Sequence, residues 1–520
     1  MTGLLTSAQM RAIEAAAIAS GEVTGLDLME RAGRGVVEAV FEEWPELKAG
    51  SFRAVVLCGP GGNGGDGFVV ARLLKEWGWE VEVFLYGEVE RMPPDARVNY
   101  ERWRGMGEVR DFSLAPSVSN GADLYIDALF GIGISRPFDG KLLEWAGTRV
   151  CDFRIADRTV AIDVPSGLCA DSGRELGKNA ETVLAGLTVT FHSLKVGHFV
   201  GWGPFKCGKI VVKDIGITRA ETPPCRLVAR PTGGLGKADL SHKFSHGHAL
   251  ILSGPPGHGG AARMAARGAL RIGAGVVTLA VLPEALAENA ARLDAVMLRV
   301  VEDAEGLREV LADARITALC LGPGLGLDDR AAGLVRVVLE TSGSRVGPGT
   351  ARSLRVVLDA DALTLLARDA SLFGMLHENC ILTPHGGEFS RLFPDIAAKL
   401  AAPALTGPAY SKVDACREVA KLAGCVVLFK GADTVIASPD GTCAINAAVY
   451  ERAAPWLATA GSGDVLAGFI CGLLARGFAP MQAAETAAWL HVECARSFGP
   501  GLIAEDLPEE LPKVFRALGL

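Results

Sequence analysis

Short, fully apolar runs closed by glycine alternate along this chain with stretches that carry an apolar residue every third or fourth position. Ala249–Leu252 reads as a buried strand, Gly254–Gly260 as a glycine-rich turn, Ala261–Ile272 as an Ala/Arg-rich helix and Gly275–Val281 as a second strand. The same order of strand, glycine-rich loop, helix and strand fills residues 52–86. The two openings share a plan but little sequence, which predicts two α/β domains in series rather than an internal repeat. Ahead of the first, Met10, Ile13 and Ala17, then Leu26, Leu28, Met29, Ala32 and Val36, fall at helical spacing. They predict two helices split by the Gly21–Gly25 loop. Residues 220–238 hold Pro223, Pro224, Pro231 and several glycines without an apolar period, and predict a linker between domains 1–219 and 239–520.

Polar residues cluster where apolar runs end. The loop Gly59–Gly67 satisfies G-x-G-x-x-G at Gly59, Gly61 and Gly64, and embeds Asn63 and Asp66. Glycines let a backbone approach a phosphate, and the following helix offers free N–H groups. Asp66 serves either that site or as a helix cap. Asp127 follows the run Leu124–Ile126 and precedes Gly131–Gly133; Asp163 follows Thr159–Ile162 and precedes Ser166. One such Asp can be a turn residue. Three strand ends of a parallel sheet, however, would bring Asn63, Asp66, Asp127, Asp163 and Ser166 to one edge. Oxygen ligands of this kind suit a hard cation rather than zinc.

The second half repeats the placement with other chemistry. Asp359 and Asp361 open a helix after a strand, His385 sits at a strand–helix turn, and Lys430 ends a strand. Capping and ordinary loop roles are open for the two Asp and for His385. The stretch TAGSGD presents the amides of Gly461–Gly463 at a helix start, where the macrodipole amounts to roughly half a charge. An anion is stabilised there, and Asp464 in the same turn is placed to take a proton. G-x-x-x-x-G-K-[ST] does not occur, so a P-loop is excluded; a glycine-rich anion hole with an Asp late in an α/β domain resembles ribokinase-like phosphotransferases.

Composition narrows the partners. A chain of 520 residues, 49% apolar, suggests two to four domains with large cores. Net charge is −8 without a Lys/Arg block, so neither nucleic acid nor an anionic membrane is an expected partner. The N-terminus lacks a signal-peptide pattern, and no apolar run approaches the about 18 residues of a membrane span. Twelve Cys without a CxxC pair, several of them (Cys58, Cys320, Cys425) in predicted strands, fit small core residues in a reducing cytoplasm.

GNGGDG, DALFG-x-G, AIDVPSGL, TFHSLKVG and DIGI, in that order over residues 5–219, resemble the epimerase domain of NAD(P)H-hydrate repair enzymes. The resemblance implies a Rossmann-like three-layer α/β domain that interconverts the R and S hydrates of NADH and NADPH, with potassium in the site. By motif position Asn63, Asp127 and Ser166 would hold potassium. Gly62, Asn63, Gly64, Gly65 and Asp66, the loop Gly131, Ile132, Gly133, Ile134, Ser135, Arg136 and Pro137, and Asp163 would contact the hydrate, with Asp163 catalytic. The family usually has two Asn before GGDG; here Gly62 replaces the first.

His242–Lys243, GPPGHGGAA, GAGVVTLA, GPGLG, LDADAL, TPHGGE, KGADT and GSGDVLAG resemble the ribokinase-like dehydratase domain of the same family. This implies dehydration of the S hydrate driven by ADP or ATP with magnesium, leaving AMP or ADP and phosphate. Ala261, Gly324, His385 and Asp464 would contact the hydrate, Asp464 as catalytic base, and Lys430, Gly431, Ala432, Asp433, Thr434 and Gly463 the nucleotide. Gly386 stands where the family usually has Pro. The expectation is a bifunctional cytoplasmic enzyme, a homo-oligomer. The alternatives are a ribokinase-class small-molecule kinase with a Rossmann-like regulatory domain, and a non-catalytic nucleotide-sensing protein.

Overall fold

In the computed structural model, which describes residues 2–116, 121–138, 140–150, 156–178, 181–218, 225–344 and 354–520, the apolar runs of the first half form one parallel sheet. Its strands are β1 (Arg53–Cys58), β2 (Glu80–Leu85), β3 (Val109–Asp111), β4 (Leu124–Ala128), β5 (Thr159–Ile162), β6 (Leu187–Phe191) and β7 (Lys209–Lys213). They lie in the order β3-β2-β1-β4-β5-β6-β7, and every pairing is parallel. Alternate residues of β1 explain why the run is unbroken. Val56 and Cys58 enter a core with Phe68 and Val70, while Val55 and Leu57 enter a second core with Phe84 and Leu142. A sheet covered on both faces needs apolar residues at every position. The helices Ser7–Ala19 and Gly25–Glu43 occur at the expected places, opened by reciprocal capping boxes at Thr6 and Thr24.

The second half builds a ten-stranded sheet. Its strands are β8 (Cys225–Leu227), β9 (His248–Leu252), β10 (Val276–Val281), β11 (Met297–Val300), β12 (Ile316–Leu321), β13 (Arg355–Leu358), β14 (Cys380–Leu382), β15 (Val426–Phe429), β16 (Asp433–Ala437) and β17 (Cys443–Ala447). The order is β11-β10-β9-β12-β13-β14-β15-β16-β17-β8. From β11 to β15 the strands are parallel; β15, β16 and β17 pair antiparallel. The helix Ser462–Ala475 is buried from Val465 to its end, which is why its sequence is apolar around the whole circumference. Among the described residues no helix is long and apolar enough to cross a membrane.

The chain forms two compact units. The first comprises Gly3–Cys225 and Ala402–Lys412; the second comprises Met1–Thr2, Arg226–Ala401 and Val413–Leu520. These bounds differ from the expected domains 1–219 and 239–520 in two places. Part of the expected 220–238 linker is strand β8, an edge of the ten-stranded sheet; residues 219–224 lie outside the described residues. Ala402–Lys412 belongs with the first unit because Ala404 and Ala409 are buried in its core. Its backbone is tied there too: Gly177 N donates to Ala404 O at 2.8 Å and Gly407 N to Ser135 O at 3.0 Å. Neither feature has a local sequence signal, since both are short segments completed by distant partners.

Arg174 holds that segment by donating to the carbonyls of Ala402 and, at 3.2 Å, Tyr410. Arg174→Ala leaves both carbonyls without this donor and is expected to destabilise the first unit by about 1–3 kcal/mol. Calorimetry of the full chain checks this; an unshifted transition would show that the segment is not held there in solution.

Candidate active sites

In the first sheet the strand order reverses between β1 and β4, and the ends of those strands form the crevice where such sheets bind ligands. Gly59 leaves β1 so close to the next strand that a Cβ on it would stand 1.8 Å from Leu129 O; only glycine fits. The helix then starts earlier than the sequence pattern suggests, at Gly62, capped by Gly61 without a side-chain bond. Asn63, Gly64, Gly65 and Asp66 are therefore helical, and Asp66 is not the cap. Asn63 Nδ2 is buried with no hydrogen-bond partner among the described residues. A Cβ on Gly131 would stand 2.9 Å from Asn63 Oδ1 and 3.6 Å from Asp163 Cβ. The ends of β1, β4 and β5 thus meet around Asn63, Gly131 and Asp163.

Asp127 and Ser166 are each 1% exposed and bind one another. Ser166 Oγ donates to Asp127 Oδ1 at 2.6 Å and Ser166 N to Asp127 Oδ2 at 2.8 Å. Phe130 N donates to Ser166 Oγ at 2.8 Å, while Phe130 O lies 3.0 Å from the same hydroxyl. Of the adjoining loop, Ile134 is buried, and Gly133, Ser135 and Arg136 are exposed.

Asp163 sits in the left-handed region at φ 70, and its surroundings were not legible in the sequence pattern. Lys195, 0% exposed, places Nζ 2.8 Å from Asp163 Oδ1. Thr190 Oγ1 donates to the same oxygen at 2.7 Å. Burial alone would push the Asp163 carboxyl up; the Lys195 charge and these hydrogen bonds hold it below the usual range. Asp66, by contrast, is pushed well above that range, first by burial and then by the charges of Asp163 and Glu14. Lys195 and Thr190 lie in or beside the stretch TFHSLKVG. Nothing local marks that lysine as one that turns inward.

In the second sheet, the ends of β13, β14 and β15 deliver Asp359, His385 and Lys430 to one edge. Lys430 Nζ is 2.7 Å from Asp359 Oδ1 and 3.7 Å from Glu388 Oε2. Burial disfavours its ammonium, but the charges of Asp359 and Glu388 more than compensate and push Lys430 up. Neither Asp side chain makes a cap bond to its helix. Asp359 is the N-cap residue without a side-chain cap bond, and Asp361 Oδ2 instead accepts from Gly326 N at 2.9 Å. His385 does act as a cap, accepting from Gly387 N at 2.9 Å, with Glu388 completing the box through His385 N at 2.8 Å.

Gly461, at φ 88, turns the chain into the helix Ser462–Ala475. A Cβ on Gly463 would stand 3.3 Å from Lys430 Nζ, so the anion hole and the lysine face the same space. Burial first, and then the charge of Asp359, push Asp464 up to about 7, against the pull of Lys430. Beside them opens a cavity of about 480 Å³ lined in part by Lys430, Gly431, Ala432, Thr434 and Gly463; Asp433 is not in its lining. Asn446, Pro455 and His491 also line it. They come from segments with no motif, so only folding reveals them. On the β9 and β12 side, a Cβ on Gly324 would stand 3.7 Å from Ala261 Cβ, so those two residues meet. Among the described residues no hydrogen bond joins either to Asp464.

The family model described as NAD(P)H-hydrate dehydratase matches residues 249–513, and that described as YjeF-related protein N-terminus matches residues 25–197. The bifunctional NAD(P)H-hydrate repair enzyme Nnr of Moorella thermoacetica is 36% identical over 549 residues, covering 99% of this chain and 97% of its own. That of Coxiella burnetii is 33% identical over 530 residues, covering 98% of each. The NAD(P)H-hydrate epimerase of Rhodobacter capsulatus is 50% identical over 202 residues, 38% of this chain and 92% of its own. The solved ADP/ATP-dependent NAD(P)H-hydrate dehydratase of Bacillus subtilis is 28% identical and covers 54% of this chain and 94% of its own at a TM-score of 0.43.

The raised Asp464 carboxyl has a measurable consequence. Its folded pKa of about 7 exceeds the ordinary 3.8, so between those values the folded chain binds the extra proton and stability falls as pH rises. Asp464→Asn removes that penalty. The variant should melt above the native chain at about pH 8, with the difference vanishing below about pH 4. A helix-capping role predicts the reverse, a lower melting temperature throughout.

Proposed function

Since the chain belongs to the bifunctional NAD(P)H-hydrate repair enzyme family, we propose that it repairs both hydrate epimers of NADH and NADPH. The first unit interconverts the R and S hydrates; the second dehydrates the S hydrate at the expense of ADP or ATP, leaving AMP or ADP and phosphate. One observation carries this reading: each unit has its own carboxylate-centred site at the strand ends, in a chain that aligns almost end to end with such enzymes. The pairing is chemically coherent. Water adds to either face of the dihydronicotinamide ring, whereas a chiral phosphorylating site takes one epimer.

In the second unit Lys430–Thr434 and Gly463 would hold the nucleotide, and Ala261, Gly324, His385 and Asp464 the hydrate. The hydrate's hydroxyl is a poor nucleophile and a poor leaving group. Asp464 accepts its proton, and a pKa of about 7 suits that task near neutrality. The amides of the helix start steady the charge of the transferring phosphoryl group, after which the hydroxyl oxygen leaves as phosphate and the adjacent ring carbon gives up a proton to solvent, restoring the double bond. Magnesium would arrive with the nucleotide and offset phosphate charge. The carboxylates Asp359 and Glu388, crowded around the one ammonium of Lys430, fit a further cation and would hold it.

In the first unit Asp163, held ionised, is the base, and the helix start Gly62–Asp66 with the loop Gly131–Pro137 would seat the hydrate. Asn63, Asp127 and Ser166 would offer potassium oxygen donors with a single carboxylate, a chemistry that suits it, and of the three Asp127 and Ser166 are in contact. When bound, the cation would supply positive charge beside the hydrate. Epimerisation belongs to the first unit, Gly3–Cys225 with Ala402–Lys412, and dehydration to the second, Arg226–Ala401 with Val413–Leu520. The free, buried cysteines among the described residues suit the cytoplasm.

Mixed R and S NADPH hydrates, incubated with and without ADP or ATP, test the whole reading by the return of NADPH absorbance. Complete recovery is expected with nucleotide; a phosphorylated product that persists would mark a ribokinase-class kinase instead. Asp464→Asn should slow dehydration roughly 10²–10⁴-fold and remove the acid limb near pH 7 from kcat/KM, with epimerisation unchanged. Asp127→Ala should abolish the potassium dependence of epimerisation, so that the R hydrate persists while the S hydrate is consumed. Clearance of both epimers at the native rate would remove Asp127 from the cation site.

A further inference from the structure

Lys195 is among the largest fully buried side chains of the protein, and its ammonium has three polar partners. Nζ lies 2.8 Å from Asp163 Oδ1, donates to Thr190 Oγ1 at 2.8 Å and donates to Phe191 O at 3.1 Å. An ammonium has three donors, so none is left to point at a substrate. The backbone of the same residue is also engaged. Lys195 N donates to His198 Nδ1 at 3.1 Å, which leaves the proton of that buried ring on Nε2, 3.0 Å from Asp163 O. Burial, reinforced by the Lys195 charge, holds His198 at about 4, so the ring is neutral and acts as a fixed strut. Side chain and main chain of one aspartate are therefore gripped from the same segment, and that aspartate is in a backbone region that costs energy for any residue but glycine. A turn with no further task would not require a buried charge pair and a strained aspartate together.

Resting on the repair-enzyme reading of this site, we propose that Lys195 is a positioning residue for epimerisation: from beneath Asp163 it orients the carboxylate and keeps it charged, so that Asp163, and not Asp66, is the base. The charged and titratable groups facing Asp163 come from three elements. Lys195 and His198 follow β6, Asp66 lies in the helix Gly62–Glu76, and Glu14, with Arg11 beyond it, lies in the helix Ser7–Ala19. Of these, Lys195 is the cation in contact with Asp163. Burial first, and then the negative charge of Asp163, push Asp66 and Glu14 up, and Asp66 is the complementary acid of the proposal. Two carboxyls with opposite displacements are the pattern by which a site divides acid from base. Inverting the hydroxyl-bearing carbon needs a bond to it broken and remade: Asp163 takes the hydroxyl proton as the bond from that carbon to the ring nitrogen opens and a carbonyl forms, Asp66 gives the nitrogen a proton, and reclosure on the other face returns both protons. No electrons are exchanged, and the enzyme ends with the protons it began with.

The test uses the full chain, R and S NADPH hydrates and no nucleotide. Lys195→Met should slow interconversion about 10²-fold near pH 7, within the range for loss of a general base. It should also move the acid limb of the rate upward by roughly 1–3 pH units, so that alkaline pH restores part of the rate. Asp163→Asn should abolish that limb, and adding Lys195→Met to Asp163→Asn should cost nothing further, because the lysine acts only through the aspartate. Thermal melting of the same samples reports folding of the first unit, and ADP-dependent dehydration of the S hydrate, assayed separately, should stay at the native rate. If Lys195→Met alone fails to fold, the double variant, which buries neither charge, still decides by comparison with Asp163→Asn. Equal rates support the proposal; a further large loss overturns it. A Lys195→Met enzyme that is slow with an unmoved acid limb, or that keeps the native rate, overturns the positioning role and leaves the epimerase reading intact. A native chain that does not interconvert the epimers overturns both.

Discussion

A buried ammonium placed against an aspartate at a strand end organises each site: Lys195 on Asp163 and Lys430 on Asp359. A charge taken out of water must be paired, and breaking such a pair is costly because the partner is left alone. The neighbouring carboxyls depend on that pairing. In each site a second acid, Asp66 or Asp464, is pushed up, first by burial and then by the charge of the first carboxylate. Each lysine thus holds one carboxylate in contact with it, while a second carboxyl nearby is raised by burial and by its neighbour's charge. In the first unit the ionised partner is the proposed base. In the second the raised partner is, poised near neutrality where a base gains most from its pKa.

The parallel sheets make these pairs available. Strands that all point one way end at one edge, so residues far apart in sequence, such as Asp127 and Ser166 or Asp359 and Lys430, become neighbours without any local motif linking them. Glycine fixes the approach. Gly59 admits the loop against Leu129, and Gly461 turns the chain so that the amides after it open onto Lys430. The cavity next to Lys430 is closed by segments from the antiparallel end of the sheet, Asn446 among them. The cavity that the motif residues Lys430, Thr434 and Gly463 open is therefore completed by a part of the fold that carries no chemical motif.

Much of this was legible in the sequence because the relevant signals are local. Unbroken apolar runs ending in glycine announce parallel strands buried on both faces, and the helices Ser7–Ala19 and Gly25–Glu43 follow from a 3.6-residue period with threonine at each start. Residues that end strands, Asp127, Asp163, Asp359 and Lys430, could be named as site candidates because a parallel sheet has one functional edge. Their motifs carried the family as well.

What the sequence could not decide depends on partners far along the chain. Whether Asp66 caps a helix was settled by Gly61 taking that position. Whether Ala402–Lys412 stays with its neighbours in sequence was settled by burial of Ala404 and Ala409 in the other unit's core. Lys195 reads as an ordinary solvated lysine until β6 carries it inward beneath Asp163, and Glu388 reads as a helix-start acid until Lys430 arrives 3.7 Å away. Composition and periodicity determine which segments become strands and which residues stand at their ends. Protonation and pairing are set by distance and dielectric, and those exist only once the chain has folded.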